Sequence, residues 1–172
     1  ESADFTGQIL LTTPRGGAFN NDKFHQRQQL KSEQTDNLLI KAAEVGDYNA
    51  VKKNIGYLGG TGSAGRTALM FAAANGHTKC IKSLAKEARL KDQQGLTALM
   101  YAVKNRNRDA IPLLVKDEAG MQDNQGFTAL MYATADNDIE TVSILIKKAA
   151  GKELKKQNNK GETALMIATQ YW

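Results

Sequence analysis

A four-residue string, Thr-Ala-Leu-Met, occurs at Thr67–Met70, Thr97–Met100, Thr128–Met131 and Thr163–Met166, at spacings of 30, 31 and 35 residues. A period of this size confines the chain to stacked supersecondary units rather than one closed core. The similarity extends upstream, where Asp92-Gln93-Gln94-Gly95-Leu96-Thr97 matches Asp123-Asn124-Gln125-Gly126-Phe127-Thr128 and Asn158-Asn159-Lys160-Gly161-Glu162-Thr163. Asp or Asn followed three residues on by Gly is type I turn chemistry, and each Thr stands where its hydroxyl caps a helix. Downstream, apolar spacing predicts two short helices per unit. In the copy starting at Arg66 these are Ala68–Asn75, with Leu69, Ala72 and Ala73 on one face, and His77–Ala88, with Cys80, Ile81, Leu84 and Ala85 inward. Gly76 separates them in a left-handed conformation. Ala110, Ile111, Leu114 and Val115 repeat the second pattern, as do Ile139, Val142, Leu145 and Ile146.

Turn, helix, tight loop and helix at a period near 33 resembles the ankyrin repeat. The family's Thr-Pro-Leu-His becomes Thr-Ala-Leu-Met, and Ala72-Ala73-Ala74-Asn75-Gly76-His77 fits its interhelical pattern. The resemblance implies an all-α solenoid of helix-turn-helix repeats with short β-turn fingers, here preceded by an extended N-terminal arm at 1–34. The array occupies 35–172: a capping repeat at 36–65, repeats at 66–95, 96–126 and 127–161, and a partial repeat at 162–172. The cap aligns Leu39, Ala42-Ala43 and Gly46 with Leu69, Ala72-Ala73 and Gly76, with polar Lys41 and Glu44 replacing Phe71 and Ala74. Several departures carry expectations. Met stands for the family's His. Arg106 and Asn137 stand where Gly76 does, in a conformation costly for Arg. Pro112 predicts a disturbed helix start. The short connections Glu87–Asp92 and Glu118–Asp123 predict stubby fingers. Leu165 and Ile167 are expected to lack a partner helix. The chain is expected either to continue past Trp172 or to have this end covered, and Glu1, which is no initiator Met, is consistent with a fragment.

The resemblance also implies non-catalytic protein–protein binding. The family's usual surface combines turn tips (Gln93, Gln94, Asn124, Gln125), the residue before each Thr (Arg66, Leu96, Phe127) and inner-helix ends (Lys104, Asn105, Asp136). Leu96 and Phe127 have two open readings: an exposed apolar contact pair, or side chains folded back under shortened fingers. Phe71, Tyr101, Tyr132 and Ile167 form a column expected to be core or part-core. Phe5, Leu10, Leu11, Phe19 and Phe24 are candidate anchors of the arm, and Lys23–Gln34 reads as a short helix leading into the cap.

Other features point away from chemistry. Gly60-Thr61-Gly62-Ser63-Ala64-Gly65 satisfies a dinucleotide-binding string, but no buried strand precedes it, and Gly65-Arg66-Thr67 is in register with Gly95-Leu96-Thr97. An inter-repeat linker is the reading. Cys80 lies on an apolar face and reads as a core thiol, His77 as structural, and Asp136-Asn137-Asp138 as an interhelical loop rather than a metal site. No catalytic constellation, cofactor, metal or small-molecule substrate is expected.

The net charge of +5 sits wholly after residue 34, since residues 1–34 carry four basic and four acidic side chains. Lys79, Lys82 and Lys86 fall on one stripe, and Lys147, Lys148, Lys152, Lys155 and Lys156 cluster near one connection. This favours a partner with an acidic surface, and is milder than a nucleic-acid binder needs. No nucleic acid or membrane is expected, and a lone cysteine suggests a cytoplasmic setting. The Thr-Ala-Leu-Met variant, with Glu118-Ala119-Gly120-Met121-Gln122-Asp123, is similar to an ankyrin expansion in flagellated protozoa. Many of its members associate with microtubules, which implies a cytoskeletal scaffold with tubulin as partner. The alternatives are a soluble adaptor binding one folded partner, or the regulatory ankyrin region of a larger protein such as a kinase.

Overall fold

The computed structural model describes residues 38–149 and 151–170. The expected arm at 1–34, with its anchors Phe5, Leu10, Leu11, Phe19 and Phe24 and the helix at 23–34, lies outside them. Inner helices α1 (38–45), α3 (Ala68–Ala74), α5 (Ala98–Lys104), α7 (Ala129–Ala135) and α9 (Ala164–Thr169) alternate along the chain with outer helices. The outer ones are α2 (Tyr48–Lys53), α4 (Thr78–Ser83), α6 (Ile111–Glu118) and α8 (Ile139–Lys148). Successive inner helices α3, α5, α7 and α9 pack on one another, and successive outer helices do the same. The longest has ten residues. Helices this short are marginal alone in water, so stacking supplies their stability. Leu69, Leu99, Leu130, Met70, Met100 and Met131 are buried at the centre of the inner layer. The flexible Met side chains fill this space without a polar group to satisfy.

The caps form as the sequence predicts. Thr67, Thr97, Thr128 and Thr163 each accept a hydrogen bond on Oγ1 from the Met N–H three residues on, at 3.3–3.5 Å. The interhelical position is left-handed in all three full repeats, with φ of 72° at Gly76, 57° at Arg106 and 50° at Asn137. Pro112 is the second residue of α6, which begins at Ile111, three positions later in register than α4. Its missing N–H leaves no bond to break there.

The fingers are short. Among the described residues no ladder forms, and Thr61 and Thr67 make one isolated bridge. Oδ1 of Asp92, Asp123 and Asn158 each accepts two backbone N–H groups within its own turn, at 2.8–3.0 Å. Adjacent fingers are joined by backbone bonds Gln93 N–H to Ala64 O, Asn124 N–H to Gln94 O and Asn159 N–H to Gln125 O. At Gly95 a Cβ would lie 2.7 Å from the Asn124 nitrogen, so the approach of the next finger requires glycine as much as φ does.

A second set of acidic residues locks the repeats together. Glu87, Glu118 and Glu153 are almost wholly buried. Each accepts the N–H of the second residue of its own inner helix: Leu69 at 2.8 Å, Leu99 at 2.7 Å and Leu130 at 2.6 Å. The other carboxylate oxygen accepts from the preceding junction, at Gly59, Arg89 and Gly120. All three junction residues are left-handed. Burial pushes Glu118 and Glu153 above the usual carboxylate range, against the hydrogen bonds that pull them down.

Several sequence expectations need correction. The helix expected over 77–88 is α4 followed by a 3-10 turn, Ala85–Glu87, because Glu87 must turn inward to reach Leu69. Ala85 is consequently exposed. Ile139 and Ile146 are 64% and 48% exposed, although their pattern marked them as core. Ile139 opens α8 facing outward, and Ile146 occupies the place where Val115 is covered by α8, with no further outer helix among the described residues. Leu165 is exposed as expected, but Ile167 is buried against the preceding repeat.

Glu118→Leu leaves the Leu99 and Arg89 N–H groups without acceptors and should lower unfolding free energy by about 3–5 kcal/mol, measured by urea denaturation. Below the ordinary carboxylate range the raised Glu118 and Glu153 contribute stability that is lost as pH rises through their folded-state values. Comparing wild type with Glu118→Gln as pH rises from the ordinary carboxylate value should show a shallower decline in the variant. Arg106→Gly should raise stability by about 0.5–1 kcal/mol by relieving the left-handed Arg.

Candidate protein-binding surface

The fingers and the exposed ends of the inner helices border a groove of about 490 Å³. Gln93 and Gln94 form one wall, Asn124 and Gln125 the other, and Lys104, Tyr132 and Asp123 the floor. The walls are held by the inter-finger bonds, to which Asn124 Nδ2 adds a bond to Gln93 O at 2.9 Å. The floor is equally fixed. Tyr132 donates its hydroxyl to Asp123 Oδ2, the oxygen not used in the turn. The Lys104 ammonium sits 4.1 Å above the Tyr132 ring centroid, a cation–π contact that holds a flexible side chain over the groove. The result is a rigid amide-lined channel with one placed cation.

The same finger-to-helix bond occurs one repeat earlier, where Tyr101 donates to Asp92 Oδ2 at 2.7 Å. Burial and this bond push the Tyr101 hydroxyl up to about 12, and burial and Asp123 raise Tyr132 further. The sequence carries a signal for this link. Nine residues after each finger acid stands a Tyr, whereas Gly62 is followed at that distance by Phe71 and Asn158 by Ile167. A carboxylate appears only where a phenol is present to donate to it.

The groove thus brings together Gln93, Gln94, Lys104, Asn124 and Gln125, five of the candidate residues. Arg66 stands elsewhere: its guanidinium covers the Phe71 ring at 4.2 Å and reaches Tyr101 at 5.8 Å, bracing the first finger. Asn105 is exposed but turns its amide back to Tyr101 O at 2.9 Å, and Asp136 caps α7. Leu96 is only 4% exposed, so the exposed apolar pair does not form. Asp92 takes the Leu96 N–H, and the Leu96 side chain lies in the core. Phe127 is half-buried against Tyr132, with ring centroids 5.3 Å apart.

Several other polar groups hold the array. His77 bonds Glu44 O at 3.0 Å, and Asn107, in the same register, donates to Ala73 O and Ala74 O. Arg108 pairs with Asp138 at 2.8 Å and Glu140 at 2.9 Å. Burial would raise Asp138, but bonds from Arg108 and Thr141 hold it below the usual range. Cys80 is buried, and burial raises its thiol, which disfavours the reactive thiolate. Among the described residues, no group of three His, Cys, Asp or Glu side chains is placed to hold a metal, and no helix is long and apolar enough to cross a membrane.

A family model for ankyrin repeats (3 copies) matches residues 39–121 and 113–171. No curated protein matches the chain. Tyr132→Phe should leave Asp123 Oδ2 without its donor and lower stability by about 1–3 kcal/mol, measured by thermal or urea unfolding. Phe127→Leu, which keeps that bond, should cost less.

Proposed function

Because the chain belongs to the ankyrin-repeat family, we propose that it is a non-catalytic scaffold that holds an acidic segment of a partner protein in the groove between the second and third fingers. Ankyrin repeats generally mediate protein–protein interaction. The observation that carries the reading is Lys104, an exposed cation fixed over Tyr132 between two walls of side-chain amides. A carboxylate of the partner meets the ammonium, and Gln94 and Gln125 offer donors and acceptors to its main chain. Phe127 backs the Tyr132 ring.

The lysines of the outer face and of the fourth connection extend the same preference. Lys79, Lys82, Lys147, Lys148, Lys152, Lys155 and Lys156 are all exposed. We place the protein in the cytoplasm, on the cytoskeleton, with the acidic surface of tubulin as the leading partner. An adaptor for one folded partner is the second reading, favoured by the rigidity of the groove; as the regulatory region of a larger protein, such as a kinase, the groove would work in the same way.

Co-sedimentation with assembled microtubules over a salt series tests the first reading. Pelleting should weaken steadily with salt, and Lys104→Glu should reduce affinity about tenfold, equivalent to about 1.4 kcal/mol. Absence of pelleting at low salt removes the tubulin reading. Lys104→Glu then serves as the control in a pull-down for an adaptor partner. Leu96→Ser is unsuitable as a binding variant, since it places a hydroxyl in the core.

A further inference from the structure

We propose that the outer layer carries a second docking site, a groove between α4 and α6 that takes one aliphatic anchor side chain flanked by carboxylates from a partner protein. The site uses none of the finger-groove residues and goes beyond the reading above. It gives the protein a second face, which a scaffold needs in order to join two partners.

The groove has a volume of about 210 Å³ and is lined by Ile81, Ala85, Ala88, Leu113 and Leu114, with Lys82 and Asp117 at its edge. Its origin is local. The inward turn of Glu87 ends α4 at Ser83, and the 3-10 turn that follows presents Ala85. In register, Ala85 stands where the other repeats have Val115 and Ile146. The small side chain leaves a hollow where the others have branched ones. α6 starts late, at Ile111, and its Leu113 lines the opposite wall, where it is half-buried and packs against the core from the outside. The bottom of the hollow, at Ile81 and Leu114, is therefore buried and apolar, and its mouth is open.

Charge selects the occupant. Lys82 borders the hollow, Lys86 follows Ala85, Lys79 lies one turn before Lys82, and Lys116 is exposed on α6. Among the described residues, none of these four is in an ion pair; both ion pairs found there belong to Arg108. At the hollow itself Lys82 faces Asp117; around it the two segments carry exposed Lys79, Lys86 and Lys116 against exposed Asp109, so the surrounding surface is net positive. A leucine-type side chain fills the hollow, and carboxylates on either side of it meet the lysines. A basic segment would face the same lysines and be repelled.

The probe is the peptide acetyl-Glu-Glu-Leu-Glu-Glu-amide, titrated into the 15N-labelled full chain and followed by amide chemical shifts. Shifts centred on Ile81, Ala85, Ala88, Leu113 and Asp117, with roughly millimolar affinity, are expected for so small a ligand. Replacing the peptide's Leu by Ser, or its Glu by Lys, should weaken binding about tenfold or more. In the protein, Ala85→Leu should fill the hollow and abolish binding, with a melting curve confirming the fold. Lys82→Glu, an exposed substitution that leaves the packing alone, should weaken binding about fivefold at low salt. Lys104→Glu should leave it unchanged. The proposal is overturned if no shifts arise at millimolar peptide, if the Ser peptide binds equally, or if the shifts centre on Lys104 and Tyr132. That last result would support the finger groove alone, and a failure of microtubule binding would leave this site untouched.

Discussion

Three buried carboxylates hold the stack in register. Glu87, Glu118 and Glu153 each join the start of one inner helix to the junction before it. The chemistry is that of a buried helix N-terminus, whose first N–H groups have no partner within the helix and carry partial positive charge. Thr satisfies the third residue and Glu the second, so two side chains from opposite ends of one repeat meet at one helix end. The Glu must be buried to do this, and each bridge therefore ties two repeats at a point where neither can shift without exposing unpaired donors.

That constraint explains the uneven spacing of the repeats. From each Glu to the next Thr there are ten residues in all three cases, while from Thr to Glu there are 20, 21 and 25. All length variation is therefore confined to the outer helix and its exit. The finger side, bounded by the bridge and by the inter-finger bonds, is constant. The finger face is thereby regular, and it carries the groove with Lys104. The outer-helix face absorbs the variation, and the hollow between α4 and α6 is one product of it.

The local elements were legible in the residues. Thr caps, Asp or Asn turns and the left-handed positions at Gly76, Arg106 and Asn137 follow from chemistry within a few residues of each site, so a repeated string reveals them. The altered helix start near Pro112 was legible for the same reason, although its position as the second residue of α6 was not. The candidate surface was legible in part: the tips Gln93, Gln94, Asn124 and Gln125 and the helix-end Lys104 do converge. The Tyr–Asp pairs were present as a correlated exchange nine residues apart, a signal that only the finger-to-helix contact makes meaningful.

Burial was harder to read. Periodicity assigns a face, but whether that face is covered depends on which neighbour follows. Leu96 matches Phe127 in register and the two turns make the same bonds, yet Leu96 is buried in the core while Phe127 is half-covered against Tyr132. Ile146 matches Val115, yet α8 covers Val115 and nothing described covers Ile146. The sequence by itself determined the repeat, its helices, its caps and its turns, because these depend on contacts a few residues apart. The tertiary structure alone decided the Glu bridges, the cation over Tyr132 and which apolar side chains leave the solvent, because each needs groups that meet only after one repeat is stacked on the next.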